Sequence, residues 1–188
     1  MGSAVKVSVI LVLLASLARA DLNLTPRTQE YELEGVKMRQ LVFADGDRQV
    51  TYAPPRKWEY SGGGNRFVLH PAFGAAAEAV ITVTKSSRME PLDESSAKSL
   101  SDEVLASAPR GATNVTLVSQ QLNPLLIDRK PTFLVVISYD YYGQPYERSV
   151  MFLNRRTERV QFQLTCYRND FRDLQKAFES SHYSWQNL

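Results

Sequence analysis

Five consecutive apolar residues, Phe133-Leu134-Val135-Val136-Ile137, constrain the fold more than any other stretch of this chain. A strand turns alternate side chains to opposite faces, so a run with no polar position leaves neither face suited to water. The run is short and β-branched, which identifies a strand rather than a helix. Such a strand must lie inside a sheet that is covered above and below.

The residues around it supply a meander. Strands are expected over residues 115–121, 132–141, 148–153 and 159–167, with Gly143-Gln144-Pro145 and residues 154–158 as turns. Earlier in the chain, Leu41-Val42-Phe43 and Gln49-Val50-Thr51-Tyr52 flank Asp45-Gly46-Asp47, a hairpin signal. Pro54-Pro55 ends that strand, Trp58 follows as an apolar anchor, and Ser61-Gly62-Gly63-Gly64 reads as a flexible turn. Phe67-Val68-Leu69 and residues 79–84 are the next two strands. Residues 21–35 are polar and weakly patterned and are expected to be a poorly ordered lead-in to one domain over residues 36–188.

Helical spacing occurs twice. Ala97, Leu100 and Val104 recur within residues 93–106, closed by Pro109 and Gly111. Near the end, Phe171, Leu174 and Phe178 share a helix face, with Asn169 or Asp170 as the expected cap. Two helices and about eight strands without β-α-β alternation define an α+β fold, an antiparallel sheet layered with helices.

The first twenty residues are an address. Lys6 precedes an uncharged apolar run from Val7 to Leu17, and Ala18-Arg19-Ala20 presents small residues to a signal peptidase before Asp21. The run falls short of the roughly 18 apolar residues that span a bilayer, and no cysteine follows to accept a lipid. Residues 1–20 are expected to be a cleaved signal peptide, and the product to be periplasmic or secreted without stable membrane insertion. The segment holds two bases and no acids, out of 22 Lys+Arg against 20 Asp+Glu in the whole chain, so the trimmed chain is formally neutral. It lacks the basic surplus that nucleic acid or anionic lipid would select.

Cys166 is the only cysteine, so no intrachain disulfide can form and the core alone must hold the fold. It follows Val160, Phe162 and Leu164 at strand spacing, which places it on their apolar face as a small hydrophobe. Asn23-Leu24-Thr25 and Asn114-Val115-Thr116 are glycan acceptors in a eukaryotic secretory pathway alone.

No pattern of catalytic or cofactor residues emerges. The two histidines, His70 and His182, have no Gly-x-Ser-x-Gly to serve, and His182 at a helix end reads as packed or favoured by the helix dipole. Asp45 and Asp47 about a tight turn supply too few ligands for calcium, and one cysteine with two distant histidines does not make a zinc site. Ser61-Gly62-Gly63-Gly64 lacks the Gly-Lys-Ser/Thr ending of a phosphate loop. No cofactor is expected, and pairing among the 20 acids is invisible at this level.

Two ends of the chain resemble the PsbP-like, or Mog/PsbP, family and its exported bacterial members of unknown function. Val50-Thr51-Tyr52-Ala53-Pro54-Pro55-Arg56-Lys57-Trp58 resembles the family's strand leading into proline and tryptophan, with Lys57 where a glycine is common. Val160-Gln161-Phe162-Gln163-Leu164-Thr165, then Asp170-Phe171, Leu174, Phe178-Glu179 and Ser184-Trp185, resembles its last strand, last helix and closing serine-aromatic pair. The resemblance implies an α-β-α sandwich around a mainly antiparallel sheet, among relatives that bind proteins: an extrinsic photosystem subunit, and a factor that binds a small GTPase. It brings no catalytic set.

Four tyrosines about one turn, Tyr139-Asp140-Tyr141-Tyr142-Gly143-Gln144-Pro145-Tyr146-Glu147-Arg148, form the candidate surface. Tyrosine and arginine give interfaces rigid contact area at low entropic cost. Tyr139 and Tyr141 share a face with Phe133, Val135 and Ile137 and can extend the core instead. Tyr142 and Tyr146, nearest the tip, are expected to be exposed, with Tyr141 and Arg148 beside them. Gln161 and Gln163 lie opposite an apolar strand face, where they line a groove or meet water. The reading that follows is a non-enzymatic exported module that binds a protein of the envelope or secreted compartment. The alternatives are a small-molecule or lipid carrier with a pocket between sheet and helix, and an enzyme built on an unrecognised carboxylate pair.

Overall fold

The computed structural model of the chain describes residues 22–73, 76–86 and 89–188. The expected signal segment, with Ala18, Ala20 and Asp21, lies outside the described residues. In chain order the elements are β1 (Leu22–Leu33), β2 (Val36–Asp45), β3 (Arg48–Tyr52), β4 (Glu59–Gly63), β5 (Arg66–His70), β6 (Glu78–Lys85), α1 (Ala97–Ala106), β7 (Thr113–Leu122), β8 (Thr132–Tyr141), β9 (Gln144–Arg155), β10 (Glu158–Tyr167), α2 (Arg168–His182) and β11 (Gln186–Asn187). All strand pairings among them are antiparallel. They form a four-stranded sheet, β1-β2-β3-β11, and a seven-stranded sheet, β4-β5-β6-β10-β9-β8-β7.

The doubly apolar run occupies β8, where residues 132–139 are all buried. Leu134 and Val136 enter a core shared with Phe43, Phe162, Phe178 and Trp185. Phe133, Val135 and Ile137 enter a second core with Leu100, Val104 and Phe152. Consequently α1 covers one face of the large sheet, while α2 and the small sheet cover the other. Each large side chain so buried stabilises by about 1.5–3 kcal/mol relative to exposure. The α+β class and the antiparallel sheet match the sequence reading, and the small sheet adds a component that reading lacks.

Among the described residues eleven strands stand in place of the eight expected, because β1, β4 and β11 carry weak apolar patterns. The lead-in is corrected most. Residues 22–33 form a strand whose buried side chains are Leu22 and Leu24, while the residues from Arg27 to Glu32 are exposed. Pairing with β2 through the Glu34-Gly35 turn, φ 52° and 79°, makes this strand without hydrophobic alternation. The glycine stretch is likewise mostly strand: Gly62 lies in β4 so close to β1 that a Cβ there would stand 3.0 Å from Leu24 O and 2.6 Å from Phe67 Cδ2.

Both helices start away from where the sequence places them. The Asp93 carboxylate accepts the Ser95 N–H at 2.8 Å, a local turn that competes with helix, so α1 begins at Ala97. The last helix leaves β10 directly, with Tyr167 rather than Asn169 or Asp170 in the cap position; Asp170 sits in its first turn, where the helix dipole favours an acid. Leu174 and Phe178 are buried and Phe171 packs at the margin. Trp58 stacks on Phe178 with ring centroids 6.0 Å apart. At the end of the chain Trp185 is fully buried against Phe43, Tyr52 and Phe162, and Ser184 Oγ accepts the Ala53 N–H at 2.7 Å.

Candidate functional site

The β8–β9 hairpin closes through the two residues Tyr142 and Gly143, with Tyr141 opposite Gln144. Both have positive φ, 49° and 73°, the geometry that matches the twist of the flanking strands. Asparagine and glycine adopt it readily, whereas a bulky side chain in the left-handed region costs about 1–2 kcal/mol. Tyr142 bears that cost and is 88% exposed, with only Tyr141 as a ring neighbour, at 4.4 Å.

Behind the tip the sheet register lines up a row of phenol rings. Tyr139 faces Tyr146 across β8 and β9, and Tyr146 faces Tyr167 across β9 and β10. Tyr139 and Tyr146 stack at 5.6 Å and 6°, and Tyr146 meets Tyr167 at 4.8 Å. Tyr139 is buried, while Tyr141 and Tyr146 pack half-buried against the α1 core. The expected exposure of Tyr146 is therefore corrected, because its ring is held between two others. Burial and a hydrogen bond with Tyr167 push its phenol up to about 12. Burial also raises Tyr139, and a hydrogen bond with Tyr142 raises Tyr141, so these hydroxyls stay protonated at neutral pH.

Arg148 serves the fold. Its Nε donates to Thr165 Oγ1 at 2.9 Å, Nη1 to the Ser107 carbonyl at 2.5 Å and Nη2 to the Tyr139 hydroxyl at 3.4 Å. Ser107 caps α1, so Arg148 ties that helix end to the sheet and fixes the ring beneath the tip. Of the four candidates, Tyr141, Tyr142, Tyr146 and Arg148 all gather at this hairpin, but Tyr142 alone is fully exposed. Tyr167 was missed because only the β9–β10 register brings it opposite Tyr146.

Other groups singled out in the sequence are occupied. Cys166 is buried with Val160, Phe162 and Leu164, and burial pushes its thiol up to about 12. Gln161 Nε2 donates to Glu103 Oε1 at 2.9 Å, linking the sheet to α1. His182 is buried between Phe162 and Phe178, its ring 4.5 Å from each, and both ring nitrogens lack hydrogen-bond partners. Burial lowers its pKa to about 3, which overrides the dipole-favoured charge expected at a helix end. Among the described residues, no group of three or more His, Cys, Asp or Glu is placed to hold a metal ion. None of the described helices is long and apolar enough to cross a membrane.

A cavity of about 380 Å³ opens elsewhere, where the start of β1 meets the β4–β5 turn and the ends of β6 and β10. It lies between strands, and no helix residue lines it, unlike the expected pocket between sheet and helix.

No family model matches the chain, and no curated protein matches it. Among solved structures, the cyanobacterial PsbP (CyanoP) of Synechocystis sp. PCC 6803 is 12% identical, with 100% of this chain and 99% of that chain covered at a TM-score of 0.54. Protein PA94 of Pseudomonas aeruginosa, of unknown function, is 16% identical over 83% of this chain and 94% of that one, at a TM-score of 0.48. The fold is PsbP-like, an α+β architecture of antiparallel strands with two helices.

Proposed function

We propose that this protein is a non-enzymatic exported interaction module, and that Tyr142 is the contact residue through which it binds a protein of the envelope or secreted compartment. The observation that carries the reading is a tyrosine in the left-handed region at φ 49° with 88% of its surface exposed. A backbone cost of this kind at a turn where asparagine would be cheaper points to a use for the side chain. Tyr141, its ring 4.4 Å from that of Tyr142 and its hydroxyl bonded to it, borders the anchor before binding, which lowers the entropic cost of association. Export rests on the signal-like segment, and the PsbP-like fold is compatible with many functions.

The test is photocrosslinking in the chain's own cells from a benzoylphenylalanine placed at position 142, with Lys98 on exposed α1 as the control position. The reading expects one discrete adduct from position 142, none from position 98, and loss of the co-purifying protein in Tyr142→Asn, which suits the turn. Recovery of the same protein with Tyr142→Asn, or no adduct at all, rejects it.

A further inference from the structure

We infer that the open edge of β1 pairs with the same edge of a second copy of this chain, in an antiparallel dimer with Gln29 on its two-fold axis. β1 is the outer strand of the small sheet, with β2 as its ladder neighbour. Its start is covered by the β4–β5 hairpin, where Leu24 N–H donates to the Gly64 carbonyl at 2.7 Å. From Arg27 to Glu32 every residue is exposed. β3 ends at Tyr52 opposite Leu41, so residues 27–40 form a ribbon of two strands without a third. Such a ribbon is marginally stable by itself in water and gains from an added strand.

The turn fixes which backbone groups are free. With Glu34 and Gly35 as its two residues, Leu33 and Val36 are the first hydrogen-bonded pair, and the bonded positions of β1 then alternate through Tyr31, Gln29 and Arg27. The N–H and C=O groups of Thr28, Glu30 and Glu32 therefore point away from β2, along the open edge. A row of this kind is a template for another strand.

Charge and register select a second copy as that strand. Two-fold pairing sets residues equally far from the axis opposite each other. An axis at Glu30 would bring the two Glu30 carboxylates face to face, and one at Tyr31 would set Glu30 against Glu32. An axis at Thr28 would run Glu32 into Leu24, whose N–H is already taken by Gly64. The axis at Gln29 avoids all of these clashes. It sets Thr28 opposite Glu30, so that outward backbone groups meet outward backbone groups, and it sets Arg27 opposite the Tyr31 ring and amide opposite amide at Gln29. Glu30 arrives already paired, its Oε1 2.9 Å from Arg39 Nε. The far edge of the merged sheet is β11, only two residues long, so the assembly closes at a dimer.

The test is sedimentation equilibrium of the full chain, as its cells process it, up to millimolar concentration. The inference expects a reversible monomer–dimer equilibrium. Thr28→Pro deletes an outward N–H while sparing the bonds to β2, and Gln29→Lys, at an exposed position, sets like charges opposite each other; each is expected to raise the dissociation constant about fivefold. Fluorescently labelled Gln29→Lys chains should return to the dimer when Gln29→Glu chains are added, a rescue that requires position 29 to meet position 29. The inference is overturned if the chain stays monomeric throughout, if the dimer persists undiminished in either variant, or if Gln29→Glu gives no rescue. The purified chain alone carries this test, so its outcome is independent of the crosslinking at Tyr142.

Discussion

Arg155 and Asp45, 110 residues apart in the chain, meet at 2.5 Å between Nη2 and Oδ2, with side chains 8% and 14% exposed. Asp45 ends β2 in the small sheet and Arg155 ends β9 in the large one, so the contact ties the two sheets at one end of the molecule. Asn187 Oδ1 in β11 accepts from the same nitrogen at 2.9 Å, and Asn187 also bonds Asp128. The arginine thereby collects the β2–β3 hairpin, the β9–β10 hairpin and the C-terminal strand.

Arg155→Ala should lower unfolding stability by about 3 kcal/mol, because it removes the counter-charge of Asp45, whose side chain is only 14% exposed, and the tie between the two sheets. Screening of a pair this buried is weak, so the loss should persist at high salt. Urea denaturation of both proteins in low and high salt checks this, and a loss that vanishes with added salt would make the pair a surface interaction.

Gly62→Ala tests why a glycine stretch forms a strand here. The new methyl would meet the fully buried ring of Phe67 at 2.6 Å and the Leu24 carbonyl at 3.0 Å, and neither is the free end of a flexible chain. Overpacking of this kind costs about 1–3 kcal/mol. Gly63→Ala, whose Cβ would meet only Thr25 Oγ1 at an ordinary 3.6 Å, should cost measurably less in the same denaturation series.

Lys57 and Tyr142 are non-glycine residues at φ 65° and 49°. Lys57→Gly should raise stability by about 0.5–1 kcal/mol, since relief of the left-handed strain exceeds the added freedom of the unfolded chain. Tyr142→Asn should also stabilise, by about 1 kcal/mol, while partner recovery falls. Thermal melts and pull-downs on one preparation separate the two readouts, and a destabilised Tyr142→Asn would mean the tyrosine serves the turn itself.

What could be read without coordinates follows from range. Phe133–Ile137 declares its two covered faces within five residues, and Leu174 and Phe178 declare the docking face of α2 within one helical turn. β1 carries no such local signal, because its distal half is held by cross-strand hydrogen bonds to β2 with its side chains in water. The tyrosine turn was legible as a cluster, but which rings face solvent depends on register: Tyr146 is covered because Tyr139 and Tyr167 are its neighbours on two other strands. The Arg155–Asp45 tie spans the chain and leaves no local trace.

His182 gives the fold a defined acid sensitivity. Its folded pKa, about 3, lies below the ordinary value of 6.5 that the unfolded chain restores. Above pH 6.5 the ring is neutral in both states and contributes no pH dependence. Between pH 6.5 and about 3 the unfolded state binds the extra proton, so stability falls as pH falls, by up to about 1.4 kcal/mol per pH unit, reaching about 2 kcal/mol at pH 5. His182→Phe keeps an aromatic ring between Phe162 and Phe178 and removes the titrating group. Denaturation midpoints at pH 7 and pH 5 should therefore converge in the variant and differ in the parent. Equal pH dependence in both would place the acid sensitivity on the carboxylates instead.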